Sequence, residues 1–120
     1  MTKTSDKIKQ RLADAGARFW AGDNIAQYIH EGEHEALIEE LTTKFEGVLD
    51  SLVIDRDNDP NSMDTGRRLA KMYIKEIMSG RYNPVPKATA FPNDNGSSYK
   101  GMLVVRSELK SVCSHHHQPV

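Results

Sequence analysis

The sequence is short of three things, and each shortage excludes something. It has one cysteine, Cys113, in 120 residues, so no disulfide can form within the chain and the reducing cytoplasm is the expected compartment. Aromatic residues are only 7%, which leaves the core to Leu, Ile, Val and Met. Neither sign of charge dominates: 16 Lys and Arg face 17 Asp and Glu, for a formal net charge of −1. General nucleic-acid binders and polybasic membrane binders carry a clear cationic excess, so neither nucleic acid nor membrane is an expected partner. No apolar run approaches a membrane span, and the polar start Met1-Thr2-Lys3-Thr4-Ser5-Asp6 leads into no apolar signal core. The remainder, 38% hydrophobic and 28% charged, suits one folded domain or part of one.

Helical periodicity fills the first two-thirds. Ser5 is placed to cap a helix with apolar positions Ile8, Leu12, Ala15 and Phe19, and Gly22 to end it. Asp23 or Asn24 can cap a short segment carrying Ile25, Tyr28 and Ile29. The clearest helix covers about 33–53, with the stripe Leu37, Ile38, Leu41, Phe45, Val48, Leu49 and Leu52 opposite Glu35, Glu39, Glu40, Lys44 and Glu46. A polar turn at 55–61 follows. Thr65 then reads as the cap of a helix to about 79, with Leu69, Met72, Tyr73 and Ile77 inward and Gly80 as its stop.

Beyond Pro84 and Pro86 the pattern changes to that of strands. Residues 88–91 form a weak strand signal, 93–98 a turn cluster with an Asn-Gly step, 99–105 a clear strand, and 109–112 a further candidate. The expected fold class is therefore α+β, N-terminal helices followed by an antiparallel sheet. So few strands make a poor sheet, so the sheet is expected to be incomplete here. The expected division is a helical arm at 1–32 and, at 33–120, the N-terminal part of a larger domain.

The densest chemistry lies in Cys113-Ser114-His115-His116-His117. Cys113 and His116 have C-x-x-H spacing, by which a turn can present sulfur and nitrogen to one tetrahedral metal. Thiolate beside imidazole favours zinc. A catalytic zinc takes three protein ligands and an open position, and the spacing offers no obvious third. A surface histidine run with no metal is the plainer alternative. His30-Glu31-Gly32-Glu33-His34 matches the zinc-protease pattern H-E-x-x-H, but Gly32 places His30 before the helix or at its fraying start and Glu40 stands where a third histidine is needed, so a polar helix entrance is expected ahead of a protease. Asp55, Asp57 and Asp59 alternate like a calcium loop, yet Pro60 stands where glycine is required and Gly66 where the bidentate Glu is required. No Walker A or G-x-G-x-x-G turn occurs. Arg67, Arg68 and Lys71 cluster near a helix N-terminus, where anions are favoured, though a solvated basic face is the simpler reading.

Taken together, these segments resemble the zinc-dependent GTP cyclohydrolase I family. Asp64-Thr65-Gly66-Arg67-Arg68-Leu69-Ala70-Lys71-Met72-Tyr73 resembles that family's D-T-P-x-R-[VI]-A-K-M-Y helix start, and Glu76-Ile77 to Ser79-Gly80 continues it. Thr89 and Phe91-Pro92-Asn93 are similar to its T-x-F-x-N strand. Val104-Val105-Arg106 and Ser111-Val112-Cys113-Ser114-His115-His116 resemble its V-x-V-R-D and S-x-C-E-H-H segments. The resemblance covers about residues 37–120, with the motifs in family order.

It implies an enzyme that converts GTP and water to formate and 7,8-dihydroneopterin triphosphate, the first step of pterin and tetrahydrofolate biosynthesis. It implies zinc, with Cys113 and His116 as two of its three ligands, His115 as the acid/base at the guanine imidazole ring, and Arg68 on the substrate triphosphate across a subunit boundary. Zinc would lower the pKa of a water that attacks guanine C8. The family fold is the tunnelling fold, usually in homodecamers, so self-association is implied. Gly66 departs from the family's proline, Ser114 from its Glu, and His117 from a large apolar residue. The family's third zinc ligand, a later cysteine, and its guanine-anchoring Gln-Glu pair have no counterpart in these residues. The resemblance thus implies the N-terminal half of such an enzyme. A non-catalytic metal-binding or oligomerisation fragment of that family is the alternative.

Overall fold

The computed structural model describes residues 2–90 and 101–120. Its helices are α1 (Thr4–Asp14), α2 (Glu33–Ser51), α3 (Thr65–Met72) and the single turn α4 (Ser79–Tyr82). A 3-10 turn at Ala26–Tyr28 precedes α2, and a π-helical turn at Tyr73–Ile77 continues α3.

The first helix buries the apolar pair that its period predicts, Ile8 and Leu12. It stops much earlier than Gly22. Gly16 takes φ +63°, Gly16 N–H donates to Ala13 O and Ala17 N–H to Leu12 O, the paired bonds of a Schellman stop. Phe19 accordingly lies outside the helix and is 44% exposed. Ser5 sits inside the first turn, and the N-cap residue is Lys3. The carboxylate of Glu40 on α2 accepts from Ser5 N–H and from its hydroxyl, so the open N-terminus of α1 is capped from another helix. Burial pushes the Glu40 carboxyl upward, but those Ser5 bonds outweigh it and the net shift is downward.

A second latch joins α1 to the start of α2. Arg11 grips Glu33 with both terminal guanidinium nitrogens and also donates to Tyr28 O at 2.9 Å. The Arg11 hydrogen bond, with that from His30 N–H, holds the Glu33 carboxyl at about 2. A carboxyl depressed in the folded state contributes stability above its unfolded pKa and loses it as pH falls toward the folded value. Between about pH 4.5 and 2 the wild type should therefore lose stability that Glu33→Gln does not have to lose. Expected thermal midpoints differ by a few °C at pH 7 and converge only as pH falls to about 2.

The α2 stripe buries Leu37, Ile38 and Leu49, whereas Val48 and Leu52, on the same predicted face, are 50% and 63% exposed. The core unites Ile8, Leu12, Ile25, Leu37, Ile38, Ala70 and Ile74, so it draws on α1, α2, α3 and the π turn. Gly66 is buried where α3 crosses α2. A Cβ there would lie 2.8 Å from Glu46 Cγ and 3.2 Å from Thr42 O, so the missing side chain lets the helices approach. Beyond Ile77 the helix breaks at Met78, and α4 runs through Gly80 instead of ending there.

The last turn of α2 ends with the same bond pair as α1, Val53 N–H to Asp50 O and Ile54 N–H to Leu49 O. Here the left-handed position holds Val53, at φ +63° and 90% exposed. A β-branched residue is strained in that region and glycine is not. Val53→Gly removes no packing, so it should stabilise the fold by about 0.5–1 kcal/mol after glycine's unfolded-state entropy is counted. A urea titration reads this as a higher midpoint at unchanged slope.

The expected antiparallel sheet is not present among the described residues. Their one β-pairing is an isolated bridge between Val112 and Pro119. Met102, Leu103, Val104, Val105 and Leu109 are 71–86% exposed. A strand is held by pairing its N–H and C=O groups with a neighbour, and this β-rich stretch forms no ladder with any described residue. Among the described residues, the α+β expectation is therefore corrected to a helical fold, with 101–120 forming no helix or sheet. The turn cluster at 93–98, and Phe91-Pro92-Asn93, lie outside the described residues.

Candidate metal and substrate site

The Cys113 motif forms a closed turn. Val112 bridges Pro119, Cys113 N–H donates to Gln118 O at 2.9 Å, and Val120 N–H to Ser111 O at 2.9 Å. Inside it, His117 N–H donates to Cys113 O at 2.8 Å. Ser114 to His117 therefore loop out from a two-sided base, with His117 left-handed at φ +56°. Histidine accepts that conformation more readily than most side chains.

Cys113 is half-buried, and its Sγ lies 3.3 Å from His115 Nδ1. The side chain brought onto the thiol is thus His115, two residues on, while His116 is exposed on the same turn. His117 Nδ1 shares a 3.1 Å hydrogen bond with the Tyr73 hydroxyl, and the rings stand 5.5 Å apart at 60°. Tyr73 in turn stacks on Phe45 of α2, with centroids 5.2 Å apart. Periodicity marks Tyr73 only as core-facing. Its link to His117 spans 44 residues, and no local pattern encodes it.

Arg68 lies on the first turns of α3, with its side chain 75% exposed. Its backbone N–H donates to Asp64 O, and its Nε stands 3.7 Å from Asp64 Oδ2. That distance leaves the guanidinium loosely held. Neighbouring cations are partly engaged, as Lys75 pairs with Glu35 at 2.8 Å. A recess of about 420 Å³ flanks the turn, lined by Asn24, Met78, Arg81, Ser111 and Ser114 among others. Cys113, His115 and Arg68 do not line it, so it is no container for the predicted chemistry.

The other motifs resolve into local structure. His30 precedes α2 and donates its N–H to Glu33, while His34 Nε2 meets Tyr82 O at 2.7 Å. Gly32, at φ +80°, turns the chain between them, so the two histidines hold the entrance to α2. Asp59 accepts from Asn61 N–H and the Ser62 hydroxyl, and Asp55 from Asn58. The Ser62 bond, then that of Asn61, lowers the Asp59 carboxyl. Those oxygens are spent on a turn.

Thiol and imidazole donors on one closed turn match zinc in kind. In number they fall short: among the described residues no group of three or more His, Cys, Asp or Glu is placed to hold a metal. Also among them, no helix is long and apolar enough to cross a membrane. The turn thus pairs one thiol with one imidazole and contacts the π-helical turn through Tyr73.

The sequence relatives make the assignment narrower. GTP cyclohydrolase 1 of Flavobacterium johnsoniae is 38% identical over 89 residues, 72% of this chain and 38% of the relative. That of Wigglesworthia glossinidia brevipalpis is 37% identical over 118 residues, 97% of this chain and 50% of the relative. That of Shewanella denitrificans is 45% identical over 60 residues, 48% of this chain and 27% of the relative. No protein-family profile matches the chain. The resemblance to GTP cyclohydrolase I read from the motifs is borne out by these relatives. The chain spans half their length or less.

Proposed function

We propose that this chain contributes the zinc turn and the triphosphate-binding helix start of a GTP cyclohydrolase I, a hydrolase releasing formate from GTP and yielding 7,8-dihydroneopterin triphosphate. The observation that carries the reading is the Cys113 thiol against the His115 imidazole on a closed turn, in a chain similar to GTP cyclohydrolase 1 over 97% of its residues. Cys113 and His116 would hold the zinc. Zinc, when bound, lowers the pKa of water and so supplies a nucleophile near neutral pH.

The remaining work belongs to side chains of this protein. His115 has Nδ1 at the thiol, which leaves Nε2 to give a proton to the guanine ring nitrogen as the ring opens. Arg68, loosely paired to Asp64, exchanges that carboxylate for a phosphate, which the guanidinium fork binds through two hydrogen bonds. The third zinc ligand and the guanine anchor must come from outside the described residues. Self-association, as in the family's homodecamer, fits a site whose parts come from more than one segment. The product would enter pterin and tetrahydrofolate synthesis in the cytoplasm.

The test is formate and pterin fluorescence from GTP in the presence of zinc, with parallel zinc binding. Release of both products, lost in Cys113→Ala, is the expected result. The alternative is a non-catalytic metal-binding or oligomerisation fragment, favoured by the lack of a three-donor group among the described residues. Zinc binding without any GTP affinity would put that alternative first.

A further inference from the structure

We propose that Tyr73 is a positioning residue for the Cys113–His117 turn, acting through the imidazole of His117. The inference rests on the zinc-turn reading above and adds a residue to it. The turn's internal bonds close it on itself but do not attach it to the helices. Among the described residues, a side-chain attachment to the helices is the 3.1 Å bond between Tyr73 hydroxyl and His117 Nδ1, backed by the tilted ring contact. Tyr73 is firmly seated to act as an anchor. Its ring stacks on Phe45, and the next residue, Ile74, is 1% exposed in the core.

The backbone at both ends of this contact departs from ordinary geometry. Tyr73 opens the π-helical turn Tyr73–Ile77, and π turns re-aim side chains, often at functional sites. His117 is left-handed, a conformation that persists where surrounding contacts hold it. With Nδ1 engaged, His117 can offer only Nε2 elsewhere, so it serves as the turn's anchor and not as a ligand through Nδ1. Tyr73 also continues directly from the helix that bears Arg68. The turn is therefore anchored to the continuous helical element whose first turn carries the basic residues Arg67 and Arg68.

The experiment compares wild type, Tyr73→Phe, His117→Leu, the double variant and Cys113→Ser, all as the full chain. Tyr73→Phe keeps the Phe45 stack and removes only the hydroxyl. Zinc affinity is measured by competition with a chromogenic chelator, Cys113 accessibility by the rate of iodoacetamide alkylation without metal, and folding by thermal midpoint. Loss of an outer partner weakens metal affinity by about tenfold or more, so Tyr73→Phe should lose about tenfold in zinc affinity at unchanged midpoint. Its Cys113 should alkylate several-fold faster, and the double variant should match the single ones, because both remove the same bond. Equal alkylation rates in wild type and Tyr73→Phe overturn the proposal whether or not zinc binds. If Cys113→Ser binds zinc as wild type does, the zinc-turn reading fails while the alkylation rates still decide the role of Tyr73. If Cys113→Ser loses zinc and Tyr73→Phe keeps full affinity, the zinc turn stands and the positioning role does not.

Discussion

Truncating Leu12 to alanine is expected to cost about 3 kcal/mol of folding stability, within the range for deleting a fully buried leucine side chain. Leu12 is 1% exposed and sits where α1 meets the α2 and π-turn side of the core. It already borders an apolar recess of about 210 Å³ with Ile8, Ile25, Leu37, Leu41 and Ile74. Removing it enlarges a space that the surrounding helices have not closed, so relaxation can recover little of the loss. A small domain has only about 5–15 kcal/mol in total, and the midpoint should fall by about 15 °C. The control is Leu52→Ala. Leu52 shares the predicted apolar stripe of α2 but is 63% exposed, so its truncation should change stability by under about 0.5 kcal/mol. Equal losses from the two variants would mean that Leu52 is covered in solution.

That contrast shows where sequence reasoning reaches its limit. A stripe such as Leu37, Ile38, Leu41 and Leu49 identifies a helix and one of its faces, because period is a local property. How far along the helix another element covers that face is set by neighbours distant in sequence. Val48 and Leu52 flank the buried Leu49 and are exposed, so the cover is narrower than the stripe. Stops behave similarly. Gly16 ends α1 by local bonding, and it was available as a signal in place of Gly22. Val53 carried no such signal, since valine is an unfavourable residue for the left-handed stop it occupies. The strand expectations failed over 101–105 and 109–112 for a different reason, residues 99–100 lying outside the described ones. β-propensity reports fitness for a pleated, half-buried surface, and among the described residues no ladder beyond the isolated Val112–Pro119 bridge supplies one. In the site, the C-x-x-H spacing falls on a closed turn. It did not mark that the thiol meets His115, nor that Tyr73 reaches His117 across 44 residues.

Cys113→Ala is expected to abolish zinc binding and, with it, formate release from GTP, whereas His115→Ala should keep zinc and lose ring opening. The two outcomes differ because the side chains are assigned different atoms of the reaction. Sulfur is the charged donor of the proposed ligand pair, and its loss leaves only neutral imidazoles, which bind zinc more weakly in such a set. Removing His115 leaves Cys113 and His116 in place but takes away the group proposed to protonate the guanine ring. General acid–base groups contribute about 10²–10⁴-fold in rate, so turnover should fall by that factor while the zinc stoichiometry holds. The structure gives this comparison an edge, because His115 Nδ1 is 3.3 Å from the thiol. If His115→Ala loses zinc and His116→Ala keeps it, His115 is the ligand and the two histidine roles are exchanged. If Cys113→Ala releases formate at the wild-type rate, the thiol takes no part and the proposed mechanism is wrong. Metal analysis beside a formate assay on the same preparations separates all of these results.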